Sequence, residues 1–127
     1  MNLRSVGYYK EMPQGKETSQ SIHEVVKKGD SADVVRICEY LNNGAVLVSS
    51  PGITVDVIDE SAGAVGTGSA CTDGTWLWPD DLSHYVKKYN IKLPDEFIDT
   101  MRNNNWNNPG KNMDVGDEHI IIDGIEV

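Results

Sequence analysis

Apolar positions along this chain change period three times, and each change marks an element. Near the start, Ser21 is followed by Ile22, Glu24, Val25 and Val26. A serine with a glutamate three residues on can satisfy two orphan backbone donors, so this capping box predicts a short helix near 22–28, which Gly29 stops. Val34, Ile37, Cys38 and Leu41 then recur at i, i+3, i+4 and i+7, one apolar stripe on a second helix. Asp30 or Ser31 can cap it, and Asn42, Asn43 and Gly44 end it.

The period then falls to two. The β-branched runs "AVLVSS" and "ITVDVID" flank the turn dipeptide Pro51-Gly52, which predicts a hairpin over 45–59. Ile53, Val55 and Val57 share one face of its second strand, with Thr54, Asp56 and Ile58 on the other. A glycine-rich strand or strand-like loop follows, and Asp73-Gly74 is a hairpin turn signal leading into "TWLW", so strands are expected near 63–78.

From Pro79 the helical period returns. Proline at the first helical position loses nothing, because its N–H would be unpaired there. Asp80 and Asp81 would sit at the positive end of the helix dipole, with Lys87 and Lys88 at the negative end. Leu82, Tyr85, Val86 and Tyr89 form the inward stripe, and Asn90 is a left-handed stop. Pro94, Phe97, Ile98 and Met101 repeat the device in a further helix. Segments 1–18 and 103–118 read as irregular, Trp106 being the one anchor of the latter. "HIIIDGIEV", over 119–127, is a closing strand for a sheet edge. The expectation is one domain over 1–127 of class α+β: a small, mainly antiparallel sheet packed with about four short helices.

Composition agrees with a folded chain. Its 127 residues can bury a single core without staples, and 39% hydrophobic with 24% charged residues is a globular balance. No run reaches the roughly 20 apolar residues of a membrane helix, and the first residues show no secretory h-region, so a cytoplasmic address is expected. Cys38 and Cys71, far apart in sequence, are then expected reduced and at least partly buried.

Charge changes the picture more. Twenty acids against eleven bases give a formal charge of −9. Such a field repels nucleic-acid phosphate and anionic membrane and attracts basic partners, although acidity also serves solubility alone. Chemistry is sparse by comparison. His23, His84 and His119 lie on separate elements without metal-ligand spacing. Ser69 lacks the frame of a nucleophile elbow, and "GAVGTGSA" lacks the lysine and helix of a phosphate loop. No catalytic, cofactor-binding or metal-binding residue is assigned, and no cofactor. The acids that helix starts do not explain are Asp56, Asp59, Glu60, Asp114, Asp117 and Glu118, the candidates for partner binding. Trp76 and Trp78, two apart on a strand, read as the lid of the core, while tryptophan is also the favoured anchor of binding hot spots.

"TDGTWLWPDDLSHYVKKYNIKLPDEFIDTMRNNNW" resembles a pattern of many small bacterial proteins: a D-G-x-W-x-W-P turn, a helix with L-x-x-Y-V, then L-P-x-x-F-I and a closing aromatic. An upstream glycine-led hairpin ending in acids, here "GAVLVSSPGITVDVIDES", often accompanies it. The resemblance spans residues 44–106. Those proteins resemble, in size and acidity, the immunity proteins of polymorphic or contact-dependent toxin systems. The resemblance implies a non-enzymatic inhibitor of a cognate toxin C-terminal domain, a basic nuclease for choice, and carries over no catalytic residues. Two other readings stand beside it: a small hydrolase or transferase using the 66–74 loop, and an adaptor for an unrelated basic protein.

Overall fold

A computed structural model describes residues 1–115 and 119–126. In chain order the elements are β1 (Asn2–Ser5), α1 (Val34–Asn42), β2 (Ala45–Val48), β3 (Thr54–Val55), β4 (Ala64–Gly66), β5 (Ala70–Thr72), β6 (Trp76–Pro79), α2 (Leu82–Tyr89), α3 (Asp95–Asn103), β7 (Ile121–Ile122) and β8 (Ile125–Glu126). The class is α+β. Six strands form one sheet in the order β2-β5-β6-β1-β7-β8, and β3 pairs with β4 alone. The main sheet is mixed, because β1 runs parallel to both β6 and β7 while its other pairings are antiparallel.

β6 lies inside the sheet and all four of its residues are buried. Strand alternation sends Trp76 and Trp78 to the helical face, and Leu77 to the opposite face with Leu3 and Ala70. On the helical face Phe97 of α3 is the hub: its ring centroid lies 5.0 Å from Trp76, 5.5 Å from Trp78 and 6.4 Å from Tyr40. Aromatic pairs at such distances contribute about 0.5–1.5 kcal/mol each beyond area burial. The polar tips are satisfied as well. Trp78 Nε1 donates to the Leu41 carbonyl, Trp76 Nε1 to Thr100 Oγ1, and the Tyr40 hydroxyl to Asp73 at 2.6 Å. Asp73 also accepts from the Thr75 and Trp76 amides, closing the tight turn at Gly74, whose φ is +91°. The two tryptophans are therefore core, a joint between sheet and helices.

Several expectations are corrected. The 45–59 hairpin does not form: β2 pairs with β5 and β3 with β4, because Val46 finds Cys71 as its cross-strand partner. Residues 1–18 are not all irregular, since β1 is inserted between β6 and β7 with Leu3 buried. The helix over 22–28 shrinks to one 3-10 turn, Ile22–Glu24; Lys27 has a φ of 61°, which an α-helix cannot contain. With that helix lost, three α-helices stand where four were expected among the described residues. Pro79 ends β6, paired with Ala70, and α2 starts three residues later. The closing segment is a short hairpin, β7–β8, at the sheet edge. Asn90 does adopt the left-handed stop, with φ 48° and ψ 49°. Segment 103–118 contains a further 3-10 turn, Pro109–Asn112.

Candidate functional site

The acids predicted to meet a partner fall in different environments. Asp56 is fully buried, while Asp59, Glu60 and Asp114 are exposed. Asp117 and Glu118 lie outside the described residues. Asp56, Asp59 and Glu60 occupy one excursion of the chain, residues 50–69, which leaves the main sheet after β2 and returns at β5. Asp114 follows the Pro109–Asn112 turn on a separate loop.

That excursion is a flap laid on α2, and polar side chains do the fastening. At its base, Ser69 Oγ accepts from the Ser50 amide and contacts Thr67 Oγ1 at 2.7 Å. Asp80 accepts from the Thr67 amide and hydroxyl, and Asp81 Oδ2 accepts from Thr54 Oγ1. The Tyr85 hydroxyl donates to the Val55 carbonyl and accepts from the Val57 amide at 3.0 Å. Asp81, Tyr85 and Tyr89 recur every four residues, so one stripe of the α2 region faces the flap.

Asp56 is the centre of this clamp. Its Oδ1 accepts from the Ile58 and Asp59 amides, and its Oδ2 from Tyr89 Oη at 2.7 Å and faces His84 Nε2 at 2.8 Å. Lys88 Nζ stands 3.8 Å from Asp56 and 3.7 Å from Asp59. Burial pushes the Asp56 carboxyl up, but the hydrogen bonds from His84, Asp59, Tyr89 and Ile58 outweigh it and hold the group well below the usual carboxylate range. The group is sealed from solvent yet near the surface rather than deep in the core. Asp56 is therefore corrected from a contact acid to a fastening. The α2 partners were missed because they lie about thirty residues downstream; their one sequence signal was the polar spacing Asp81, Tyr85, Tyr89. Asp80 and Asp81 are likewise more than helix-start acids. Burial raises the Asp81 pKa, and its Oδ1 is the buried side-chain oxygen left without a hydrogen-bond partner among the described residues.

An Asp–His pair can orient a general base, but among the described residues no hydroxyl or thiol is hydrogen-bonded to the His84 ring. Ser69 is buried, with Ser50 and Thr67 as its partners, and neither is a base that could take its proton. Cys38 and Cys71 are free; burial raises both thiols, Cys71 to about 11, which keeps them protonated near neutrality. No group of three metal-ligating side chains converges among the described residues. A cavity of about 590 Å³ between α1, α2 and α3 is lined by Lys28, Asp30, Lys92, Asp95, Asp99 and Arg102, charges of both signs. No helix among the described residues is long and apolar enough to cross a membrane. No family model, curated protein or solved structure matches the chain.

Proposed function

We propose that this chain is an immunity protein that binds a cognate bacterial toxin domain, a basic nuclease, and neutralises it by covering its active cleft or a neighbouring surface. The observation that carries the proposal is the charge: an excess of nine acids on a chain of 127 residues. A nuclease cleft is basic because its substrate is polyanionic, and an acidic inhibitor can stand in for phosphate. The resemblance over residues 44–106 supports the same reading. Its residues Asp73, Trp76, Trp78, Leu82, Tyr85 and Phe97 are spent on the turn, the core and the clamp, leaving the exposed surface to choose the partner.

The chain acts by occupation, with no reaction of its own and no cofactor. Long-range attraction brings the partners together quickly, and a few buried anchors set the residence time. The test is reconstitution with the product of the gene immediately upstream. Expected outcomes are a stoichiometric complex, loss of the partner's nuclease activity, and an association rate that falls as salt rises. Reversing Glu60 and Asp114 to lysine should slow association by about tenfold and flatten its salt dependence. Absence of a complex at micromolar concentration, with no protection of cells expressing that partner, overturns the proposal.

A further inference from the structure

The flap over residues 50–69 is folded with its polarity reversed. A strand that covers a core turns its apolar side chains inward and its polar ones to solvent. Here Thr54 and Asp56 point into the molecule, held by Asp81, His84 and Tyr89. Their alternating neighbours Ile53 and Val55 face out, 75% and 48% exposed. The α2 side chains that receive the flap are hydrogen-bonding groups, so the register is fixed by polar fastening rather than by burial of the β-branched residues. A one-residue slip would bury Ile53 and Val55 but would cost the bonds that tie Asp56 to His84 and Tyr89 and Thr54 to Asp81. The exposed face is thus imposed by the fold.

The flap itself carries charge of one sign. Residues 50–69 contain three acids, Asp56, Asp59 and Glu60, and no lysine, arginine or histidine. Beside β3 lies a depression of about 380 Å³ lined by Met12, Pro13, Ile53, Val55, Val57 and Glu60. Glu11 also lines it, its carboxylate engaged by Ser21 and the Ile22 amide. Lys88 is the one lysine or arginine within salt-bridge distance of these acids among the described residues, and Asp56 and Asp59 share it, with His84 also against Asp56.

We infer that the outer face of the β3–β4 flap is the docking face for a basic protein surface, one presenting lysine or arginine side chains around a small apolar contact. The inference rests on the immunity reading and deepens it by naming the face. Aliphatic stems of such side chains would lie on Ile53 and Val55 while their heads reach Asp59 and Glu60. A second copy of this chain is the poorer occupant: a two-fold flap-to-flap contact brings together two faces that each carry the acids Asp59 and Glu60.

The experiment compares four proteins against the purified product of the upstream gene by calorimetry, with sedimentation of each protein alone. They are wild type, the double variant Ile53→Ser with Val55→Thr, Glu60→Lys, and Val46→Thr as a control at an exposed position of β2. All altered side chains face solvent, and thermal melts confirm that each variant folds. The double variant should bind about tenfold more weakly or worse, Glu60→Lys should weaken binding with a flatter salt dependence, and Val46→Thr should bind as wild type. Wild-type affinity in the double variant overturns the docking face while the immunity reading stands. No binding by wild type overturns both. A wild-type dimer that the double variant dissociates assigns the face to a second copy and overturns the inference.

Discussion

Asp56 concentrates the energetics of the flap in one carboxylate. Four donors share its two oxygens, two of them backbone amides that have no other partner in the loop. Because its pKa is depressed in the folded chain, the stability it contributes is complete above the unfolded value of 3.8 and is lost as pH falls through the folded one. Asp56→Asn keeps an acceptor and removes the charge. It should lower stability at pH 7 by about 2 kcal/mol, and the gap from wild type should narrow progressively as pH falls below about 4. Urea unfolding of both proteins across that range checks this; a gap independent of pH would mean that shape, not charge, fastens the loop. Asp81 runs the other way. Its raised pKa favours the folded state fully below the unfolded value, and that benefit disappears as pH rises through the folded one.

α2 works as two elements in one. Leu82, Tyr85 and Val86 enter the core, while Asp81, His84, Lys88, Tyr89 and the Tyr85 hydroxyl fasten the flap. Tyr85→Phe keeps the buried ring and removes the bond to the Val55 carbonyl and Val57 amide. Hydrogen exchange at amides 55–59 should accelerate by about tenfold while those of β5 and β6 hold their rates. Acceleration spread evenly over the chain would show that flap and sheet open together. The same helix marks what the sequence could reveal. Leu82, Tyr85 and Val86 of its inward stripe, its left-handed stop at Asn90 and the tryptophan alternation of β6 are local patterns where their spacing predicts, while Tyr89, the fourth of the stripe, turns to Asp56. β1 and the pairing of β2 are not local: Arg4 meets Trp76, Leu3 meets Ile122, and Val46 meets Cys71. Nothing near those residues in sequence encodes such partners. The flap was half legible, because alternation separates Thr54 and Asp56 from Ile53 and Val55 without saying which pair turns inward. That choice is made by α2, downstream.

At the scale of the whole molecule, the acidity that would attract a basic partner is a load on the free fold. Twenty acids and eleven bases repel one another on balance, and folding brings them closer than they are in the extended chain. Raising salt from about 10 mM to about 150 mM shortens the screening length from roughly 30 Å to about 8 Å. The repulsion should then weaken and Tm should rise, by about 4 °C if screening restores about 1 kcal/mol. Glu60→Lys should shift Tm in the same direction at low salt, since it replaces an exposed acid beside Asp59 with a base. Thermal unfolding followed by circular dichroism in chloride, repeated with a second anion to separate screening from specific binding, measures both. A Tm that stays level or falls with salt would mean that the surface ion pairs already balance the excess. A Tm that rises while partner affinity falls would place both effects on one set of charges, with the low-salt stability of the free chain given up for rapid capture of its partner.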